Sequence, residues 1–323
     1  MILSDKIFKT IDEQMNLLKK RGLTIEDEEK TKKYLLTNNY YDIINGYSKY
    51  FEESTNRYVF GATFDEICKL SWFDKEIRRT MFNAILIAEQ HAKSIFAYRF
   101  SEQYPKIESS YLNSSSYDHA KIDYAKKTIQ RLHMRLNDLK KNEKAVHHYL
   151  TKYGYVPIWV IIEFIDFGTF YHLIYNVKKG LQNKVAQDLK SFIDDNLQNT
   201  NIQHNVFTPE CMLSFLKNIK ETRNICAHNN RLIGFSCRAD SYYYRDIYEL
   251  YGIEKDDERR SVYSTMICLK CFLSYTEYAN LQNTIRKRMK NLDNKVKSID
   301  INKILEELGF PKNWHNITKV INQ

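Results

Sequence analysis

Arg223 and His228 stand five residues apart in the string Glu221-Thr222-Arg223-Asn224-Ile225-Cys226-Ala227-His228, and their side chains together suit phosphoryl chemistry. A free imidazole, with an ordinary pKa of about 6.5, gives and takes protons at neutral pH. A guanidinium fork holds a phosphate and spreads the charge that builds on it in the transition state. The pair suffices for RNA transesterification. The histidine takes the 2′-hydroxyl proton or protonates the leaving 5′-oxygen, typically worth about 10²–10⁴-fold, and the chemistry calls for neither metal nor cofactor. One histidine per chain supplies one of the two proton transfers, so two copies of the motif are expected to face each other in a homodimer or higher oligomer.

These residues need a helix to place them. Thr208-Pro209-Glu210 reads as its start: a hydroxyl cap, a proline in the first turn and an acid beside the dipole. With Arg223 at zero and about 100° per residue, Asn224 falls at about 100°, His228 at about 140° and Glu221 at about 160°. On that polar stripe Asn224 and Glu221 are candidates to orient the histidine or a phosphate oxygen. Met212, Phe215, Leu216, Ile219 and Cys226 cluster between about −80° and +20°. Arg223 points into this apolar side, where a permanently charged guanidinium has to find a carboxylate, a phosphate or a subunit boundary. Glu163 and Asp166, set in the apolar run from Ile158 to Phe167, are its candidate carboxylates. Spacing alone is weak support, since a satisfied ion pair plus a helix-end histidine produces the same pattern.

The rest of the chain fits a helical setting. In 323 residues glycine occurs 9 times and proline 4 times, too few for the tight turns of sandwiches, barrels or glycine-cradled phosphate loops. Lys+Arg is 49 against 40 Asp+Glu, a net charge of +9, which favours polyanionic partners such as RNA. The 24 tyrosines and 17 phenylalanines are mostly core material, although aromatic faces beside cations also suit stacked single-stranded bases. The opening Met1-Ile2-Leu3-Ser4-Asp5-Lys6 lacks the pattern of a secretory signal, so a cytoplasmic protein is expected. The run at 158–167 is about half a membrane span and carries two carboxylates, which predicts a buried helix and no membrane association. Six irregularly spaced cysteines predict thiols.

Along the chain, residues 7–55 predict a helical hairpin, with Gly22 ending the first helix and Thr24-Ile25-Glu26-Asp27-Glu28 restarting the second. From Thr63 to Tyr104 the apolar positions Ile67, Leu70, Phe73, Ile77, Met81, Ile85, Ala88, Ala92 and Ile95 predict one long helix or two in tandem. Residues 109–116 read as a serine-rich loop, 117–150 as a charged surface helix, Pro157 onward as a buried helix that Gly168 bends, and 261–290 as a helix with a basic end. The corresponding domain boundaries are 1–108 for an N-terminal helical region, 109–155 for the loop and charged helix, 156–300 for the motif-bearing core and 301–323 for a C-terminal segment. Arg286, Lys287, Arg288 and Lys290 are candidates for RNA phosphates, with a solvated helix end as the alternative. Cys268-Leu269-Lys270-Cys271 has no second pair to complete a zinc site, and His147-His148 has no partners at metal spacing, so core thiols and a solvated pair are expected.

The motif string, continued as Asn229-Asn230-Arg231-Leu232, resembles the Arg-polar-x-x-x-His motif of HEPN ribonucleases, in the form carried by AbiD/AbiF-type abortive-infection proteins of bacteria. The segments 17–23, Asn39-Tyr40-Tyr41 with Gly46-Tyr47, Phe73 to Arg78, Pro157 to Glu163 with Phe167-Gly168, and Leu308 to Trp314 are similar to that family's landmarks, in the family's order. The resemblance implies an all-α HEPN-type helical bundle with an added N-terminal helical region, dimerisation around Arg223 and His228, metal-independent RNA cleavage leaving 2′,3′-cyclic phosphate ends, a role in phage defence, and restraint by a structured non-coding RNA. The catalytic assignment carries over to Arg223, Asn224 and His228. Relatives often have an arginine after a glutamate in an upstream helix, whereas this chain reads Glu89-Gln90-His91-Ala92. A catalytically silent RNA-binding module of a defence ribonucleoprotein is the alternative, and a purely structural helical scaffold is a third reading.

Overall fold

In the computed structural model, which describes residues 8–197 and 205–316, the chain is all-α apart from a small hairpin. The helices are α1 (Ile11–Lys20), α2 (Glu28–Thr37), α3 (Phe64–Gln103), α4 (Ile122–Asn142), α5 (Lys144–Tyr153), α6 (Ile158–Ile161) and α7 (Phe167–Asn176). They continue as α8 (Lys179–Leu197), α9 (Pro209–Ala227), α10 (Arg245–Tyr248), α11 (Val262–Leu269), α12 (Tyr275–Lys295) and α13 (Asn302–Glu307). The hairpin pairs β1 (Glu52–Ser54) with β2 (Arg57–Tyr58), Glu52 opposite Tyr58.

Two compact units are assembled from non-contiguous segments. The first holds residues 8–80, 229–235 and 282–316, the second 81–197, 205–228 and 236–281. These divisions do not fall after 108, 155 or 300, where the sequence suggests boundaries. Two of the divisions, at 80/81 and 281/282, lie inside α3, 40 residues long, and α12, continuous helices that carry no linker signal, and the other two lie in the irregular chain after α9.

In the first unit, α1 opens with a capping box: Thr10 accepts from the Glu13 N–H, and the Glu13 carboxylate accepts from the Thr10 N–H at 2.7 Å. Gly22, at φ +92°, ends it in the left-handed region. The restart comes at the end of the expected segment, with Asp27 capping α2 through the Lys30 N–H at 2.9 Å. After α2, residues 40–47 coil into helical turns that bury Ile43, Ile44 and Tyr47.

The polar centre of this unit is Asp74, fully buried on α3. Its Oδ1 accepts from the Leu232 and Ile233 N–H groups at 3.0 and 2.9 Å, and its Oδ2 from the Tyr47 hydroxyl at 3.0 Å. One turn on, Arg78 pairs with Asp74 and donates Nη1 to the Asn229 and Asn230 carbonyls at 3.1 and 2.9 Å. Residues 229–233 form no regular structure; Asp74 satisfies the N–H groups of buried Leu232 and Ile233, and Arg78 takes the carbonyls of exposed Asn229 and Asn230.

In the second unit α9 is central, packed by α7, α8 and α11. The long helix predicted from the apolar period over 63–104 forms, and Ile67, Met81, Ile85 and Ala92 are buried as expected. Three other expectations are corrected. The run after Pro157 is not one helix: it stops at Ile161, turns through Glu163, extends at Ile165 (ψ 144°) and restarts behind Asp166, whose Oδ1 caps Thr169 at 2.9 Å. The charged helix over 117–150 is broken at Glu143, and that over 261–290 at residues 270–274, where Ser274 and Glu277 form a capping box in which the Ser274 N–H donates to Glu277 at 2.9 Å. The serine-rich segment buries Tyr111, Ser116 and Tyr117, with the Tyr111 hydroxyl donating to the Val156 carbonyl at 2.9 Å.

The turn between α11 and α12 carries an unusual cation. Lys270 is buried with Nζ 5.5 Å from the Tyr251 ring centre and 5.6 Å from that of Tyr278, and burial pushes its pKa from 10.5 to about 8. No helix among the described residues is long and apolar enough to cross a membrane.

Two predictions follow from these buried charges. Asp74→Ala strands Arg78 and two amides, so urea unfolding should show a loss of about 3 kcal/mol or more; a loss below about 1 kcal/mol would contradict the role assigned to Asp74. For Lys270, the folded ammonium titrates near 8 and the unfolded one near 10.5, so the cost of burying its charge is largest at neutral pH and fades as the pH rises between those values. Lys270→Met should therefore gain on wild type by roughly 2 kcal/mol more at pH 7 than at pH 10. A pH-independent difference between the two proteins would refute this.

Candidate functional site

The helix carrying the motif forms as its sequence suggests. Thr208 caps α9 by accepting from the Cys211 N–H at 3.3 Å, Pro209 stands at the first turn and Glu210 follows it. Met212, Phe215, Leu216, Ile219 and Cys226 are buried, and Thr222 joins them at 0% exposure. The last turn closes with the His228 N–H on the Asn224 carbonyl at 3.1 Å, and Asn229, at φ +57°, takes the left-handed conformation that ends a helix.

The polar stripe is on the outside. Asn224 and His228 are exposed. Glu221 is half-buried and accepts from the Arg238 N–H at 2.9 Å through one carboxylate oxygen, which ties the following loop to α9.

Arg223 behaves differently from its neighbours. It is half-buried, its guanidinium carbon lies 5.8 Å from the Phe82 ring centre, and its Nε is buried without a hydrogen-bond partner. The expected carboxylate pairing is not made. Asp166 spends both oxygens on Thr169, at 2.9 Å from the N–H and 2.7 Å from the hydroxyl, and Glu163 is exposed on its turn. The break at Ile165 removed both from the apolar helix on which the pairing depended. An unmet guanidinium donor in a dry setting costs about 1–3 kcal/mol, and a phosphate oxygen is a suitable acceptor. The structure thus brings Arg223, Asn224 and His228 to the last two turns of one helix, with no hydrogen bond joining their side chains among the described residues.

The other candidates separate into used and unused groups. Arg286 lies over the Trp314 ring at 5.3 Å and Arg288 pairs with Glu76 at 2.7 Å, whereas Lys287 and Lys290 are exposed. Glu89 and Lys93 form a buried ion pair at 2.7 Å, with Lys93 also on the Ile165 carbonyl. His91 stacks on Phe192 with ring centres 4.9 Å apart, its Nδ1 2.9 Å from the Phe272 carbonyl. His91 and Lys93 are thus spent on structure, while Glu89 gives Oε1 to Lys93 and keeps Oε2 buried without a hydrogen-bond partner. Cys268 and Cys271 are fully buried, and among the described residues no cluster of histidine, cysteine and carboxylate side chains could hold a metal. Sequence reasoning missed the Asp74 and Arg78 bracket, although an acid and an arginine four apart on one helix were its signal.

Compared with curated proteins and with solved structures, the chain matches none. The family model described as Abi-like protein matches residues 33–234, a span that takes in Asp74, Arg78 and the whole of α9. The chain therefore belongs to the Abi-like protein family.

Proposed function

We propose that this protein is a HEPN-type endoribonuclease acting in abortive infection, with Arg223 and His228 as its catalytic pair. The observation that carries the reading is the contrast on α9: a half-dry guanidinium with an unsatisfied donor at Arg223, and a solvent-facing imidazole at His228. Family membership and the resemblance of the motif support it.

In this reading an RNA phosphate meets the Arg223 fork, which neutralises its non-bridging oxygens as negative charge accumulates. His228 takes the proton of the adjacent 2′-hydroxyl, the 2′-oxygen forms its bond to phosphorus, and the 5′-oxygen leaves with a proton from the His228 of a second copy. The products are a 2′,3′-cyclic phosphate and a free 5′-hydroxyl. Asn224 steadies a phosphate oxygen from the exposed side. A homodimer supplies both histidines, and a non-coding RNA occupying the same surface restrains the enzyme until infection.

Overproduction without the restraining RNA should arrest bacterial growth, and both His228→Ala and Arg223→Ala should relieve the arrest at equal protein levels. Loss of a positioned donor to the phosphate costs about 10²–10³-fold in rate, enough for colonies to recover. Undiminished arrest by His228→Ala would end the catalytic assignment and leave the RNA-binding module as the better account.

A further inference from the structure

The second unit holds a cationic and aromatic surface that the motif does not include. Along α7, Tyr171 and Tyr175 stack with ring centres 6.2 Å apart. Lys220 of α9 sits 4.3 Å over the first ring, and Lys121 sits 4.2 Å over the second. Beside them a groove of about 380 Å³ runs between α4 and α7, lined by Arg131, Arg135 and His172 together with Asp138 and Asp166.

The charges around this groove are poorly compensated. Asp166 is committed to Thr169, Arg135 donates Nε to the Phe164 carbonyl at 2.7 Å, and exposed Asp138 is the remaining carboxylate of the lining. Arg131, Lys217 and Lys220 form no ion pair with a carboxylate among the described residues. Burial, then Lys220 and Arg131, hold the His172 imidazole below its ordinary value against the weaker pull of Asp166. Burial likewise lowers Lys220, with Lys217 and Arg238 adding to it and Glu221 and Asp166 opposing. Cations that depress one another are relieved by an anion. Exposed or half-exposed rings alternating with cations offer what single-stranded RNA requires, namely stacking faces for bases and charge for the backbone.

We propose that the outer face of α7, flanked by Arg131 and Lys220, is the track that binds single-stranded RNA and leads it to His228. Lys220 and His228 are eight residues apart on α9, about 12 Å along the axis, and Lys217, Lys220 and Asn224 lie on the same side of that helix as His228. The ligand class rests on the ribonuclease reading; the site itself rests on the geometry of α4, α7 and α9.

The test is binding of a fluorescein-labelled single-stranded RNA of mixed sequence by His228→Ala protein, followed by anisotropy across salt concentrations. Against this background, Arg131→Gln with Lys220→Gln should weaken binding at least tenfold at low salt. The slope of log affinity against log salt should fall by about 1.4, two phosphates at about 0.7 each. Lys287→Gln with Lys290→Gln should change binding less. Circular dichroism of the α7-track variant confirms folding, and in the parent protein the His172 imidazole, followed by NMR, should titrate at higher pH once RNA is bound. Unchanged affinity and slope in the α7-track variant would overturn the track while leaving cleavage by His228 intact. Failure of the parent protein to bind RNA at all would overturn both.

Discussion

A single buried carboxylate organises the segment on which the motif ends. Asp74 has no access to water and takes two backbone amides, a tyrosine hydroxyl and an arginine. Through it and Arg78, the segment 229–233, which has no regular structure, makes four backbone hydrogen bonds to side chains of α3. The segment begins one residue after His228, and its backbone is bound by side chains of its own unit. Burying an acid is costly in isolation; here every oxygen has a donor, and the cost of removing it falls on the donors left behind.

Where the physics was local, it was readable in advance. The cap and first-turn residues at Thr208-Pro209-Glu210 and the three- and four-residue apolar steps from Ile67 to Ala92 produced the helices they imply, because capping and amphipathic burial act within a few turns. The failures came where a short polar signal interrupts an apolar stretch. Asp166 caps Thr169 and splits the run after Pro157, and Ser274 with Glu277 splits the stretch from 261. Hydrophobic content masked both caps. Two of the unit boundaries were hidden for a different reason: they lie within α3 and α12, and nothing in a helix's own sequence marks where its neighbours change.

The site was legible to the same degree. The polar stripe of α9 follows from helical geometry alone, and so does the inward turn of Arg223. What sequence could not supply was its partner, because Glu163 and Asp166 were placed by a helix that does not form. The result is more useful than the expected ion pair: a guanidinium already neutralised by a carboxylate has little left for a phosphate, whereas one resting on Phe82 with an unmet donor does. The cations near the motif likewise come from separate parts of the chain, α4, the turn before it and α9, so no run in the sequence revealed them, while the basic run at 286–290 proved to be half committed to Trp314 and Glu76.

The central claim is that Arg223 and His228 cut RNA without a metal, His228 by proton transfer and Arg223 by neutralising the phosphate. Its most direct test is incubation of total cellular RNA with RNA-stripped wild-type protein in EDTA, beside His228→Ala, followed by mapping of the new ends. The account predicts cleavage by the wild type only, with 2′,3′-cyclic phosphate and 5′-hydroxyl termini. Equal cleavage by both proteins, or retention of RNA by both without a single new end, would contradict it.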